Sequence, residues 1–458
     1  MRLKKIIYFF LAFLILTGSN GVLWSEVRKE GSPVTMVLTG DSIITRRLSV
    51  YSEPEFLKLI DLIRAADVAF TNLEILFHDY EPYPMHESGG TYLRAEPALA
   101  RELVWAGFDL VSRANNHAGD FGVLGMELTT KYVEEAGLVH AGVGRSLAEA
   151  REARFLETGK ARVALISCAS TFPDHARASK SRDDIPPRPG LSPLRYSTTY
   201  VVTAEQLENL RSLLLAWGLN PPRESDQLMF MRQRVIKGDF PEIKTTLNQD
   251  DLTEITAVVR NASGLADLVI VSVHSHEQGR DRFSPASFLL DFAHAAIDAG
   301  ADVVVNHGPH VLKGIEIYKG KPIFYSLGNF IFQNETPLRL PQENYETYRL
   351  GEDKHVADFN EARYSLDRRG FPSQPEYWES VVAQLKWKGK ALEEIRLIPI
   401  SLGFGQPRWV RGRPVLADSQ LGKKIIENLR KLSSPYGTVV EFKEKENIGV
   451  VVLPPDHP

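Results

Sequence analysis

The chain has 458 residues and a single cysteine, Cys168, so it cannot close an internal disulfide. That does not exclude export, because a chain this long can bury a sizeable core without cross-links. Cys168 ends the apolar run that begins at Val163 and reads as a buried strand residue. An excess of charge of one sign is also missing. The net charge of −4 leaves no basic footprint for nucleic acid, and no nucleic-acid partner is expected. There is no G-x-x-x-x-G-K-[ST] loop and no G-x-S-x-G elbow, so neither a nucleoside-triphosphatase nor an α/β-hydrolase reading has support. Internal repeats and low-complexity tracts are absent. Only one long apolar run occurs, residues 6–16, preceded by Arg2, Lys4 and Lys5 and followed by small residues at 17–21. It has the length of a signal-peptide core and falls short of the ~20 apolar residues of a spanning helix. Residues 1–25 are therefore expected to be a signal peptide or, since no A-x-A cleavage site follows, an N-terminal anchor. The protein is expected to be exported, periplasmic or extracellular, and held at a membrane by residues 6–16 if they are retained. No cysteine follows the apolar core, which excludes a lipid anchor there.

The composition, 43% hydrophobic, is that of a folded chain with a large core. Short β-branched runs alternate with helical stretches from residue 34 to residue 332. Strands are expected at 34–39, 67–71, 108–111, 138–140, 163–167, 268–273 and 302–305. Helices are expected at 55–66, 96–106 and 122–136, the last two stopped by Gly107 and Gly137. This alternation predicts an α/β fold with helices on the sheet faces. Residues 203–262 read as an insertion that begins with a helix at 203–217 capped by Thr203. Residues 335–374 read as a loop, residues 381–387 and 395–400 as a hairpin, 420–432 as a helix and 449–453 as a last strand.

Five polar clusters follow five of the apolar runs: Gly40 and Asp41; Asn72 and Glu74; Asn115, Asn116 and His117; His274, His276 and Glu277; His307 and His310. Strand ends on one sheet edge converge, so together the clusters read as one metal site. Asp41 supplies an oxygen ligand, and Glu74 a carboxylate able to bridge two ions. Asn116 offers a neutral oxygen. His117 can act as an acid on a leaving group, with Asp120 three residues on to hold its tautomer. His274 and His276 share a face of an extended segment, and His307 and His310 bracket a Gly-Pro turn. Arg46, a short turn beyond Asp41, could pair with an anionic substrate group. Imidazoles and carboxylates together suit Mn, Fe or Zn, and the chemistry they serve is metal-assisted hydrolysis.

These motifs resemble the CapA family of capsule, or poly-γ-glutamate, synthesis proteins, which have a calcineurin-like metallophosphoesterase fold. The resemblance rests on Gly40, Asp41 and Arg46; on Asn72, Leu73 and Glu74; on the stretch from Ala114 to His117 with Asp120 and Gly122; on His274 and Glu277; on His307, Pro309, His310 and Val311; and on the stretch from Gly320 to Phe330, which contains Asn329. It covers roughly residues 34–332 outside the insertion. It implies a four-layer α-β-β-α sandwich with a divalent metal centre of two ions at the strand ends. The expected domain spans residues 33–403, with residues 404–458 as a C-terminal extension packed on it. By position, Asp41, Glu74, Asn116, His274 and His310 look like metal ligands and His117 like the catalytic acid. Three departures stand out. Gly308 replaces a histidine of the family's His-Pro-His, which leaves His307 as a substitute ligand. Ser275 and His276 stand where Trp-Gly is usual, which makes His276 an extra candidate ligand or acid. Asp-x-His is absent, since Ser42 and Ile43 follow Asp41. Asn72, Asn115, His276, Glu277 and Asn329 are expected to line the site.

Two functional readings follow. One is an exported metal-dependent hydrolase acting on a phosphoester or on a bond in an anionic cell-surface polymer. The other is a non-catalytic, polymer-binding subunit of a polyglutamate synthesis or export complex, working with membrane-bound synthesis partners. The complete ligand set favours the first.

Overall fold

The computed structural model describes residues 32–222 and 224–454. The signal or anchor expected within residues 1–25 lies outside them. Among the described residues, no helix is long and apolar enough to cross a membrane.

The fold is mixed α/β with several sheets, two of them large. Val34–Ile43, Val68–Leu73, Leu110–Ser112 and Val139–Ala141 lie side by side and parallel in a ten-stranded sheet. Arg162–Ala169, Leu268–His274, Val303–His307 and Lys321–Phe324 form the parallel centre of a six-stranded sheet. Both faces of these strands are covered, which explains their continuous apolar runs. Successive side chains point to opposite faces. Met36, Leu38, Phe70 and Leu110 of the larger sheet meet Leu165, Ile270, Val303 and Phe324 of the smaller one in a single apolar cluster. Val37, Ala69 and Val111 turn the other way, toward Phe56, Leu59, Ile60 and Ile63 of the helix Pro54–Arg64. Ile166, Val269, Val271 and Val304 pack on Ile255, Val259, Phe288 and Phe292 from the helices Gln249–Ser263 and Ser287–Asp298. Cys168 is buried in this last cluster, and burial pushes its thiol pKa up.

Strand Val34–Ile43 changes partner midway. Residues 34–38 pair antiparallel with Glu379–Lys388, whereas Asp41, Ser42 and Ile43 pair parallel with Asn329–Phe332. The switch falls at Gly40, where a Cβ would stand 1.9 Å from the Gly328 carbonyl oxygen. Only glycine permits this approach, and the Asp41 N–H then donates to that same oxygen at 3.0 Å.

Several elements differ from the sequence expectation. Within the stretch read as an insertion, the helix Ala204–Ala216 carries the expected Thr203 cap, completed by Gln206 as a capping box. Strands Gln227–Phe230, Gln233–Lys237 and Glu242–Leu247 then join Tyr196–Val202 in a separate four-stranded sheet. The stretch at 335–374 is not a plain loop. It contains the helices Gln342–Thr347 and Val356–Tyr364. Its base is fixed by Glu335, whose two oxygens accept from Arg411 at 2.6 Å each, while Asp367 receives the other side of the same guanidinium at 2.8 Å. Residues 404–458 also supply strands to the larger sheet, Val439–Lys443 and Ile448–Val452. Because Arg411 and Glu335 are both almost fully buried, removing Arg411 leaves the Glu335 carboxylate with Arg408 Nε alone, at 3.1 Å. Arg411→Ala should cost about 3–5 kcal/mol in chemical denaturation of the full chain. A loss below about 1 kcal/mol, the size of an exposed pair, would contradict it.

Candidate metal centre

The parallel strands of both sheets end in polar residues on one edge. Asp41 is in register with Asn72, Asn72 with Ser112, and His274 with His307. Asp41, Asn72, Glu74 and His274 have no exposed surface. Two sets of ligand atoms converge there, Asp41 with Glu74 and His274, and Glu74 with His276 and His310. Within each set the atoms lie within 4.8 Å of one another. Glu74 is common to both. Its Oε1 stands 3.7 Å from His274 Nε2, 3.7 Å from His310 Nε2 and 3.9 Å from His117 Nε2. Asp41 Oδ2 is 3.3 Å from His310 Nδ1.

The residues present fit a divalent cation. Both Glu74 oxygens are buried without a hydrogen-bond partner, as are Asn116 Oδ1 and both ring nitrogens of His307. Native structures rarely bury acceptors in this way, and an isolated buried carboxylate costs several kcal/mol. A cation among them removes that cost, and the carboxylate–imidazole donor set matches Mn, Fe or Zn.

Neighbouring groups orient the donors. Asn72 Nδ2 donates to Asp41 Oδ1 at 2.8 Å and lies 3.1 Å from His274 Nδ1. The Gly308 N–H donates to Asp41 Oδ2 at 3.0 Å. Gly308 has φ +101°, and a Cβ there would come within 2.9 Å of His274 Nε2 and His276 Cδ2. A histidine at this position, as in the His-Pro-His pattern, would collide with the centre. His310 adopts φ +58°, a left-handed conformation that costs a non-glycine residue roughly 1–2 kcal/mol. Asn329 holds it there, with Oδ1 2.8 Å from His310 Nδ1 and Nδ2 donating to the His310 and Tyr377 carbonyls.

His117 is set by a different device. Asn115 caps the turn Asn116–Gly119, its Oδ1 accepting from the His117 N–H at 3.1 Å while its Nδ2 donates to Leu73 O at 2.7 Å. His117 Nδ1 is 2.7 Å from Asp120 Oδ2. Asp120 is itself fixed by the N–H groups of Gly89 and Leu93, both at 2.8 Å. The imidazole thus presents Nε2 toward Glu74, with its far nitrogen on a carboxylate.

Charge is tightly coupled here. Burial, aided by Asp41 and Asp120, pushes the Glu74 carboxyl well above its ordinary pKa. Burial opposes the charged form of His310, but the Glu74 and Asp41 carboxylates outweigh it and raise His310 to about 9. Burial drives His274 well down, His276 to about 3 and His307 to about 4. Asp41 is held below the usual range because His310, His307 and His274 overcome its burial. The raised groups fix a sign. Stability from His310 is complete below pH 6.5 and is lost as pH rises through about 9, and Glu74 acts in the same direction. Metal-free protein should therefore lose on the order of 3 kcal/mol between pH 6.5 and 10. The Tm gain on adding Mn should be larger at pH 9 than at pH 6.5; an equal gain at both would refute the assignment.

Most of the expected site residues are brought together, with two corrections. Arg46 does not face the centre, because its guanidinium donates to the Trp409 and Arg411 carbonyls. Glu277 lies behind the cluster and accepts from the hydroxyls of Ser170, Thr171, Tyr196 and Ser275. Its contact with Thr171 has a use, since Thr171 Oγ1 accepts the His276 N–H at 2.8 Å. His307 lies outside the two sets, but both its ring nitrogens are buried without a partner and Nδ1 is 3.6 Å from Asp41 Oδ1, so it stays a candidate ligand. His276, expected only to line the site or act as an extra ligand, is in the set with Glu74 and His310. Asn116 Nδ2 donates to the Gly89 carbonyl at 2.9 Å, and its Oδ1 is buried without a partner. The sequence reading missed the wall of Phe332 and Phe371 around His310, with ring centroids at 5.3 and 5.8 Å. It also missed Gly89, and no spacing signal pointed to either.

The molecule is thus a mixed α/β protein with candidate metal-binding groups buried at the strand ends of its two large sheets. The chain belongs to the bacterial capsule synthesis protein family PGA_cap, whose model matches residues 35–334; that family lies within the metallophosphoesterase-like superfamily. It is 38% identical over 452 residues to the uncharacterized protein y4sH of Sinorhizobium fredii (strain NBRC 101917 / NGR234), covering 95% of this chain and 96% of that one. It is 26% identical over 311 residues to the capsule biosynthesis protein CapA of Bacillus anthracis, covering 66% of this chain and 61% of that protein. Among solved structures, the NAD nucleotidase NadN of Haemophilus influenzae aligns over 88% of this chain and 56% of its own, with 10% identity and a TM-score of 0.32. That score is too low to bear on the function.

Proposed function

We propose that the protein is an exported, metal-dependent hydrolase of capsule or poly-γ-glutamate biosynthesis, built as a four-layer α-β-β-α sandwich of the calcineurin-like metallophosphoesterase type. The observation that carries this reading is the pair of ligand sets sharing Glu74, whose two oxygens are buried and unpartnered. The layering is supported by the apolar cluster between the two large sheets and by the helices packed on their outer faces.

In this reading Asp41, Glu74 and His274 would hold one ion, and Glu74, His276 and His310 the other. A bound Mn, Fe or Zn would supply Lewis acidity for water activation and for charge developing on the attacked oxygen. The chain's own residues do the rest. His117 donates its Nε2 proton to the leaving oxygen. Asp120, at His117 Nδ1, keeps the ring oriented with Nε2 toward the leaving group. The aromatic wall of Phe332 and Phe371 shields His310 and limits water on that side. The substrate is a phosphoester or a bond of an anionic cell-surface polymer, and the protein works beside membrane-bound synthesis partners. The reading as a non-catalytic polymer-binding subunit is less favoured, because such a role needs neither a complete ligand set nor an imidazole–carboxylate pair at its mouth.

Elemental analysis of the purified chain, wild type beside His274→Ala, run with a phosphodiester assay on the same samples, tests the proposal. Mn, Fe or Zn near two per chain, lost together with turnover in the variant, is the expected result. Full turnover in His274→Ala would sink it, and bound metal without turnover on any phosphoester or polymer bond would return the non-catalytic reading.

A further inference from the structure

The segment that the sequence leaves without periodicity, residues 335–374, lies along one side of the candidate centre. Its helix Val356–Tyr364 carries Arg363, whose guanidinium donates to the Thr91 hydroxyl. The Arg363 Cζ stands 5.2 Å from the Tyr364 ring and 5.8 Å from the Phe359 ring. Among the described residues, no carboxylate pairs with it. Three arginines nearby are bound by carboxylates, Arg411 and Arg408 by Glu335 and Asp367, and Arg282 by Glu376. Arg369 donates to the backbone carbonyls of Arg363 and Ala362.

Thr91 connects this cation to the chemistry. It follows Gly89 and Gly90, and a Cβ at Gly90 would stand 4.0 Å from His117 Cε1. Gly89 approaches so closely that its carbonyl receives Asn116 and its N–H holds Asp120. An arginine with no counter-charge is thus fastened one residue beyond the backbone that frames the imidazole. A half-buried guanidinium left without an anion keeps most of its fork free for one. The Thr91 hydroxyl fixes one arm, and the flanking rings hold the plane, so the group is oriented before anything binds.

We propose that Arg363 is the anion-recognising residue of the substrate cleft, pairing with a carboxylate or phosphate group next to the bond that His117 serves. This is the role the sequence suggested for Arg46, which the fold assigns elsewhere. The proposal rests on the hydrolase reading for the position of the reacting bond, but it concerns binding and can be read without turnover.

The test uses the full chain in a His117→Ala background, which prevents cleavage, with and without Arg363→Gln or Arg363→Lys. Calorimetry is run with a short γ-linked glutamate oligomer and with inorganic phosphate. Arg363→Gln should weaken binding of at least one probe about ten-fold, with partial recovery in Arg363→Lys. Weakening for the oligomer alone marks a polymer carboxylate as the natural group, and for phosphate alone a phosphoester. Unchanged affinity for both probes overturns the proposal, as does the absence of binding in the His117→Ala parent. A Tm within a few degrees of the parent shows that the loss is not unfolding. If the wild type never hydrolyses anything yet Arg363→Gln still weakens binding, the hydrolase reading fails and the anion site stands.

Discussion

If the centre works as proposed, Glu74→Ala should empty it of metal and lower turnover by about 1,000-fold or more, since the several kcal/mol a metal contributes to a transition state convert at tenfold per 1.36 kcal/mol. The effect exceeds that of any single imidazole because Glu74 is the one donor common to both ligand sets. Removing His276 leaves the set of Asp41, Glu74 and His274 whole, whereas removing Glu74 leaves neither. In the metal-free state the buried Glu74 carboxyl is costly in itself but supports the charged His310 imidazole, so melts of the metal-free variant at pH 8 check that the fold survives the change. Wild type should gain stability on adding Mn while the variant gains little. Elemental analysis beside thermal melts at matched metal concentrations reads both effects. A variant that keeps two ions per chain, or retains turnover within tenfold of wild type, would show that Glu74 is not the bridge.

Glu74 also illustrates what could be read in advance. Its place at the end of an apolar run was visible, because buried parallel strands announce themselves by continuous β-branched stretches and must end in something polar. The same logic located Asp41, His274 and the turn at His117, and it placed the hairpin Glu379–Lys388 and Ala391–Ser401 within a few residues. What escaped it was direction. Arg46 and Glu277 sit near candidate ligands in sequence, yet one reaches the Trp409 and Arg411 carbonyls and the other a ring of hydroxyls. Apart from Ser275, two residues from Glu277, the deciding partners lie more than 80 residues away. The sheet after residue 220 was missed for a different reason. Its tight turn is Met231 and Arg232, both at positive φ, where a two-residue hairpin normally advertises itself by Asn-Gly or Gly. The helix Val356–Tyr364 buries Phe359, Asn360 and Tyr364 without a continuous apolar stripe, so periodicity had nothing to detect. Its position over Thr91 became visible only with the fold.

His117→Ala should leave the metal in place and lower turnover by about 100- to 10,000-fold on substrates with a poor leaving group, the usual range for a positioned general acid. The geometry separates this residue from the ligands. His117 belongs to neither ligand set, and its Nδ1 is occupied by Asp120 at 2.7 Å. In the proposed mechanism its task is to deliver a proton from Nε2, and the need for that proton depends on the group that departs. With an alkyl alcohol or amine as leaving group the loss should be near the upper end. With p-nitrophenolate, which departs unprotonated, the loss should shrink to about tenfold, because no general-acid step remains to be lost. Asp120→Asn should fall between wild type and His117→Ala. An asparagine keeps a polar partner for Nδ1 that still orients the ring, so its loss on the alkyl substrate should be smaller than that of His117→Ala. Asp120 also anchors Gly89 and Leu93, so a purely structural effect would appear as a lower Tm and an equal loss on both leaving groups. Kinetics of the three proteins on a nitrophenyl and an alkyl phosphodiester, with metal content measured on each, distinguish these cases. Equal losses on the two substrates for His117→Ala would remove it as the acid and assign the position to metal or substrate binding instead.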